Sequence, residues 1–250
     1  MHKHLHTLLS QLRLGGMAQT LETILAVAER EAQPPAAVLL RLLQEAYRYR
    51  QARSLAYRLH QARLPWDWSL DTFPFDRQPA VAEHQIRSLA GLDFIARTEH
   101  IVFIGPPGTG KSGLAMGLLR EALLNGHRGR FYNAQALIDE LYASLADHST
   151  TRLIKRLAAY DLLVIDELGY LTFKPEHANA LFKLLEQRYG RKATLITTNL
   201  DDEQWYELFR NKPLVDALLD RLQHHCITIR INGASLRTPS EPATDTSVSP

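Results

Sequence analysis

The feature that most constrains this chain is the run Gly105-Pro106-Pro107-Gly108-Thr109-Gly110-Lys111-Ser112, which meets G-x-x-x-x-G-K-[ST] at every fixed position. An apolar segment suited to a buried strand, residues 101–104, enters it, and an amphipathic stretch, 114–124, leaves it. Glycines at these places let backbone N–H groups curl around phosphate oxygens, and the positive end of the following helix adds to the field. Lys111 is placed to reach the β- and γ-phosphates of a nucleotide, and the Ser112 hydroxyl to coordinate Mg²⁺. A chance glycine-rich turn would not be expected to carry all fixed positions between a strand and a helix. ATP and Mg²⁺ are the expected ligands, cradled by residues 105–112.

A strand–loop–helix unit of this kind belongs in a parallel sheet, and the chain downstream fits one. Apolar runs at 130–132, 162–165, 194–197 and 227–231 alternate with amphipathic stretches at 137–145, 178–189 and 203–209. Near-continuous apolar strands between helices predict an α/β fold, a P-loop NTPase sheet sandwiched by helices. Upstream the pattern is helical throughout. Leu5, Leu8, Leu9 and Leu12 recur at helical spacing before Gly15-Gly16, and Leu21, Ile24, Leu25 and Ala28 mark a second helix. A third starts at Pro34-Pro35 and runs to Pro65. Three domains are expected: a small all-helical N-terminal domain over 1–65, an ATPase domain over 66–237, and a Pro/Ser/Thr-rich disordered tail over 238–250.

Two further strand ends complete the expected site. The strand 162–165 runs into Asp166-Glu167, which delivers Asp166 to the Mg²⁺ shell and Glu167 to the attacking water as general base. The strand 194–197 runs into Thr198-Asn199, whose amide is placed to orient that water; an asparagine at a strand end also commonly caps the next turn. A small-molecule kinase would need a substrate hydroxyl rather than a water-activating acid, so the acid pair and Asn199 favour ATP hydrolysis.

Composition narrows the remainder. A formal net charge of +2 leaves any basic surface local rather than global. With one cysteine, Cys226, no intramolecular disulfide is possible, and a reducing compartment is expected. No signal-like segment or run of about 20 apolar residues is present, so the expected location is the cytoplasm, without a membrane partner. His2, His4 and His6 alternate, and His224, His225 and Cys226 straddle an element junction; neither group reads as a metal site. The local basic surface is the second half of the third helix, where Arg48, Arg50, Arg53, Arg58 and Arg63 follow Glu45 with almost no acids between them. Such a stripe neutralises phosphates and suits sequence-tolerant binding of duplex DNA, against the simpler reading of a solvated helix face. Tyr47, Tyr49 and Tyr57, interleaved with it, read as packing residues.

These residues carry a resemblance. The phosphate loop, Asp166-Glu167-Leu168-Gly169-Tyr170-Leu171, Gln187-Arg188-Tyr189, Thr197-Thr198-Asn199-Leu200, Trp205 and Leu219-Asp220-Arg221-Leu222 followed by His224-His225-Cys226 resemble the IstB family. Its members are ATP-dependent helpers of insertion sequences and relatives of the DnaC helicase loaders. The resemblance implies an AAA+ fold, self-assembly into a homo-oligomer on duplex DNA with ATP at subunit interfaces, and cooperation with a partner transposase. It implies that Arg221 is an arginine finger reaching the neighbouring subunit's site, and that Arg237 stands where a second nucleotide sensor belongs. The chain departs from its relatives at Gly113, where a bulkier polar residue is usual; glycine there weakens the helix start by up to ~1 kcal/mol. Two other functions share the same core: a replicative helicase loader, and an ATP-switched DNA scaffold with little turnover.

Overall fold

The structure, a computed structural model, describes residues 2–170, 175–201, 204–206, 212–213, 216 and 225–237. The chain divides into two compact units, Met1–His60 and Gln61–Pro250. Arg221 and the tail expected at 238–250 lie outside the described residues. So does most of the helix expected over 203–209, of which 204–206 are described and helical.

The first unit is built from α1 (His2–Gln11), α2 (Gly15–Arg30) and most of α3 (Pro35–Ala62). Leu9, Met17, Leu21, Ile24 and Leu42 form its core, with Leu5, Leu14 and Val38 packed against it. The helical spacing of those leucines is what brings them to one side. The third helix stops earlier than its periodicity suggests. Its last residue is Ala62, and Arg63 follows in a left-handed conformation with φ 52°, so Arg63 is not on the helix as expected.

The second unit opens with α4 (Glu83–Leu89) and α5 (Asp93–Ala96), then alternates strand and helix: β1 (His100–Ile104), α6 (Lys111–Leu124), β2 (Gly129–Asn133), α7 (Ala134–Ala146), α8 (Thr150–Ala158), β3 (Leu162–Asp166), α9 (Pro175–Arg188), β4 (Ala193–Thr198) and β5 (Cys226–Arg230). All five expected strands are present and parallel, in the order β2-β3-β4-β1-β5. Every residue of β1, β3 and β4 is buried, which is why these segments read as unbroken apolar runs. The short α8 escaped the sequence reading; Leu153, Ile154 and Leu157 bury one face of it. Arg188, at the end of α9, is fully buried. It donates to the carbonyls of Leu157, Tyr160 and Ala193 and to the Thr194 hydroxyl, and burial holds its guanidinium down to about 9. It thereby ties α8, α9 and β4 together at the amino ends of β3 and β4, opposite the strand ends that carry the site.

Candidate functional site

In this strand order β1 lies between β4 and β5, so the loop leaving β1 has one neighbour's carboxyl end on each side. Such strand ends are where open α/β sheets bind ligands. The loop turns through Gly108 and Gly110 at φ 81° and 94°, values that side chains other than glycine rarely adopt. A Cβ on Gly110 would also sit 2.7 Å from the Phe73 ring. Gly110 precedes α6 without a side-chain cap, leaving the first N–H groups of that helix to a ligand. Lys111 is buried, and its Nζ donates to the carbonyls of Gly105 and Pro106, each at 2.7 Å. Burial lowers its pKa and Arg237 acts in the same sense, while Asp166 and Glu167 oppose them.

The β3 and β4 side carries the acids. Asp166 is buried, and Ser112 lies close enough to lower its pKa, so the two groups expected to hold Mg²⁺ are near one another. Burial raises its pKa against the hydrogen bond from Thr197 and the nearby Ser112, which lower it. Thr197 is fully buried between the acids: its hydroxyl donates to Asp166 Oδ1 at 2.5 Å and accepts from the Glu167 N–H at 2.9 Å. Glu167 needs that hold, because it sits at φ 63°, a conformation that costs about 1 kcal/mol or more outside glycine. Its Oε2 accepts from Asn133 Nδ2 at 2.9 Å. Asn199 lines the same cavity, and its Oδ1 is buried against Gly169 without a hydrogen-bond partner.

The β5 side carries the segment 231–237. Leu236 N–H donates to Gly108 O at 2.8 Å, and Ser235 lies where a Cβ on Gly108 would go. Gln78, fully buried, donates to Thr109 O at 3.2 Å and Ala234 O at 2.9 Å, joining loop and segment. Arg237 follows directly and lines the cavity. The cavity holds about 380 Å³ and runs along the loop from Glu167 and Asn199 to Trp66 and Trp68. It therefore brings together Lys111, Ser112, Glu167, Asn199 and Arg237, with Asp166 close to Ser112. Asn133, Gln78 and the two tryptophans were not singled out from the sequence, and Thr197 entered only within a family motif, without a role; a polar residue ending a strand was the one available signal for Asn133.

In the helical unit the expected basic stripe divides. Arg50 and Arg53 share a cleft of about 400 Å³ with Arg13, Tyr49 and Tyr57. The Arg53 guanidinium lies over the Tyr49 ring, 5.8 Å from its centroid. Arg48 pairs instead with Glu45 at 2.7 Å, and Arg58 donates to Ser54.

A family model described as IstB-like ATP binding protein matches residues 7–242. The chain is 36% identical over 237 residues to the ATP-binding protein of insertion sequence IS21 from Pseudomonas aeruginosa, covering 95% of this chain and 89% of that one. It is 33% identical to the corresponding protein of insertion sequence IS5376 from Geobacillus stearothermophilus, covering 95% and 94%. Among solved structures, the DnaC helicase loader superposes with a TM-score of 0.58 at 23% identity, over 67% of this chain and 98% of that one. That likeness carries the fold, the AAA+ form of the P-loop sheet.

Proposed function

The chain belongs to the family of IstB-like ATP-binding proteins, and from that premise we propose that it is an ATP-hydrolysing helper of DNA transposition. In this reading it assembles on duplex DNA in its ATP form and engages a partner transposase. The observation that carries the hydrolysis is the grouping of Ser112, Asp166, Thr197 and Glu167 beside the phosphate loop. Loop N–H groups and Lys111 hold the phosphates. Ser112 and Asp166 fit Mg²⁺, a hard cation that takes one or two carboxylate and hydroxyl ligands and, when bound, neutralises phosphate charge. Glu167 takes a proton from the attacking water, Asn199 orients that water, and Arg237 adds a second cation beside Lys111. Hydrolysis then places the water oxygen on the γ-phosphorus, the leaving oxygen on ADP, and the proton on Glu167.

A transposase partner is supported by the insertion-sequence relatives, whose names place them with mobile elements. DNA binding is supported by the cleft of Arg13, Arg50 and Arg53, whose guanidinium groups suit phosphates. Oligomer formation with Arg221 acting in trans rests on family membership. The decisive experiment pairs Glu167→Gln with Lys111→Ala in ATP-binding and turnover assays. Glu167→Gln is expected to bind ATP normally and lose roughly 10²–10⁴-fold in turnover, whereas Lys111→Ala loses both. Wild-type turnover in Glu167→Gln would remove the assignment. A strong preference for single strands, with a replicative helicase rather than a transposase as partner, would favour the loader function instead.

A further inference from the structure

The segment between α3 and α4 lies against the first turns of α6 in a way that the phosphate chemistry does not explain. A Cβ on Gly113 would collide with the Trp68 ring, and one on Gly117 would come within 2.5 Å of Leu70 Cδ2. The two glycines, one helical turn apart, therefore form a shallow seat for Trp68 and Leu70. Leu70 is buried there, and Asp67 pairs with Arg120 one turn further along. A reciprocal capping box between Ser69 and Thr72 fixes the turn that carries the segment. Trp68 also meets Phe73 edge-on, with ring centroids 6.2 Å apart. The absence of a side chain at Gly113 thus makes room for an indole.

That indole lines the nucleotide cavity, as does Trp66, which is 61% exposed. Phe73 and Leu236 both abut Gly110, so the aromatic wall adjoins the β5 side, while Glu167 and Asn199 stand on the β3 and β4 side. A nucleotide whose γ-phosphate faces Glu167 must direct its base away from the acids, toward Trp66 and Trp68. These side chains offer π-faces. They suit an aromatic base, and a purine more than a pyrimidine, because the larger ring system stacks over more area.

We infer that Trp68, seated on Gly113 and assisted by Trp66, is the base-binding wall of this site and sets its preference for purine nucleotides. The inference rests on the reading of residues 105–112 as a nucleotide loop. It is tested on the full chain with MgADP and MgCDP, which bind without turnover. Wild type is expected to prefer MgADP by about fivefold or more, and MgADP is expected to quench tryptophan emission. Trp68→Ala is expected to bind MgADP about tenfold more weakly, with the preference over MgCDP collapsing toward unity. Trp68→Phe, which keeps a ring, is expected to regain most of both. Equal losses for MgADP and MgCDP in Trp68→Ala, with their ratio unchanged, would overturn the inference and leave Trp68 as a packing residue. Unchanged MgADP affinity in Trp68→Ala would overturn it as well. A wild-type chain that binds neither nucleotide would instead overturn the nucleotide-loop reading itself.

Discussion

The two units bury themselves to different depths, and their functions differ in legibility for the same reason. The helical unit rests on a small core of Leu9, Met17, Leu21, Ile24 and Leu42, and leaves Leu39, Leu40, Leu43 and Tyr47 exposed along α3. The second unit has three central strands with no exposed residue. Deep burial lets the second unit hold strained and polar groups in fixed positions, such as Glu167 at φ 63° and the Thr197 hydroxyl between two acids. The helical unit has no comparable shell. Its chemistry is a set of solvent-facing guanidinium groups, which suits tolerant contact with phosphates and not catalysis.

If this contrast is right, changes in the second unit alter turnover steeply and changes in the first alter DNA affinity gradually. Beyond Lys111→Ala and Glu167→Gln, the largest effect is expected from Arg221→Ala. If Arg221 acts in trans, its removal should lower turnover by roughly 10³-fold or more while ATP still binds. Mixing Arg221→Ala with Lys111→Ala should restore part of the activity, since some interfaces then join an intact loop to an intact arginine. Co-assembled variants that recover nothing would count against action in trans.

A smaller loss is expected from Thr197→Val, which keeps the shape and removes the hydroxyl. Asp166 then loses a hydrogen bond, and the half-buried Glu167 N–H loses its acceptor. Turnover should fall roughly 10–100-fold, from a hydrogen bond to a charged group worth about 1.5–3 kcal/mol. The Mg²⁺ requirement should rise, and Thr197→Ser should recover most of the rate. A Thr197→Val enzyme with unchanged Mg²⁺ dependence would reduce Thr197 to a packing residue.

How much could be read beforehand follows the same divide. Lys111, Ser112, Asp166 and Glu167 could be named as candidates because each occupies a fixed place in a contiguous run next to an apolar strand. The three central strands were legible because burial on both faces leaves them nearly continuous apolar runs. Asn133 was not, because its closeness to Glu167 arises from the β2–β3 register, which pairs Asn133 with Asp166. Gln78 and Trp68 reach the loop from upstream by tertiary packing, which local periodicity does not encode. Gly113 was visible only as a weak start to α6; its use appears once Trp68 is seen against it. The end of α3 was misjudged because nothing in the local pattern distinguishes Arg63, in its left-handed turn, from the helix before it.

The smallest effects are expected in the helical unit, where they discriminate between a built cleft and a diffuse basic face. Reversing both Arg50 and Arg53 to Glu should weaken duplex binding about tenfold at moderate salt and flatten the log–log salt dependence by about 2, with DNA-free turnover unchanged. Arg48→Glu is the sharper test. Residues two apart on a helix differ by about 200° in direction, so Arg48 lies away from the side on which Arg50 meets Arg13 and Arg53. Arg48 is already paired with Glu45, in an exposed ion pair of the kind that contributes about 0–1 kcal/mol. Its reversal should therefore change duplex affinity by less than about twofold and leave the salt slope unaltered. Equal losses from Arg48→Glu and from Arg50→Glu alone would mean that the whole circumference of α3 faces DNA. The cleft with Arg13 would then have no special part in binding.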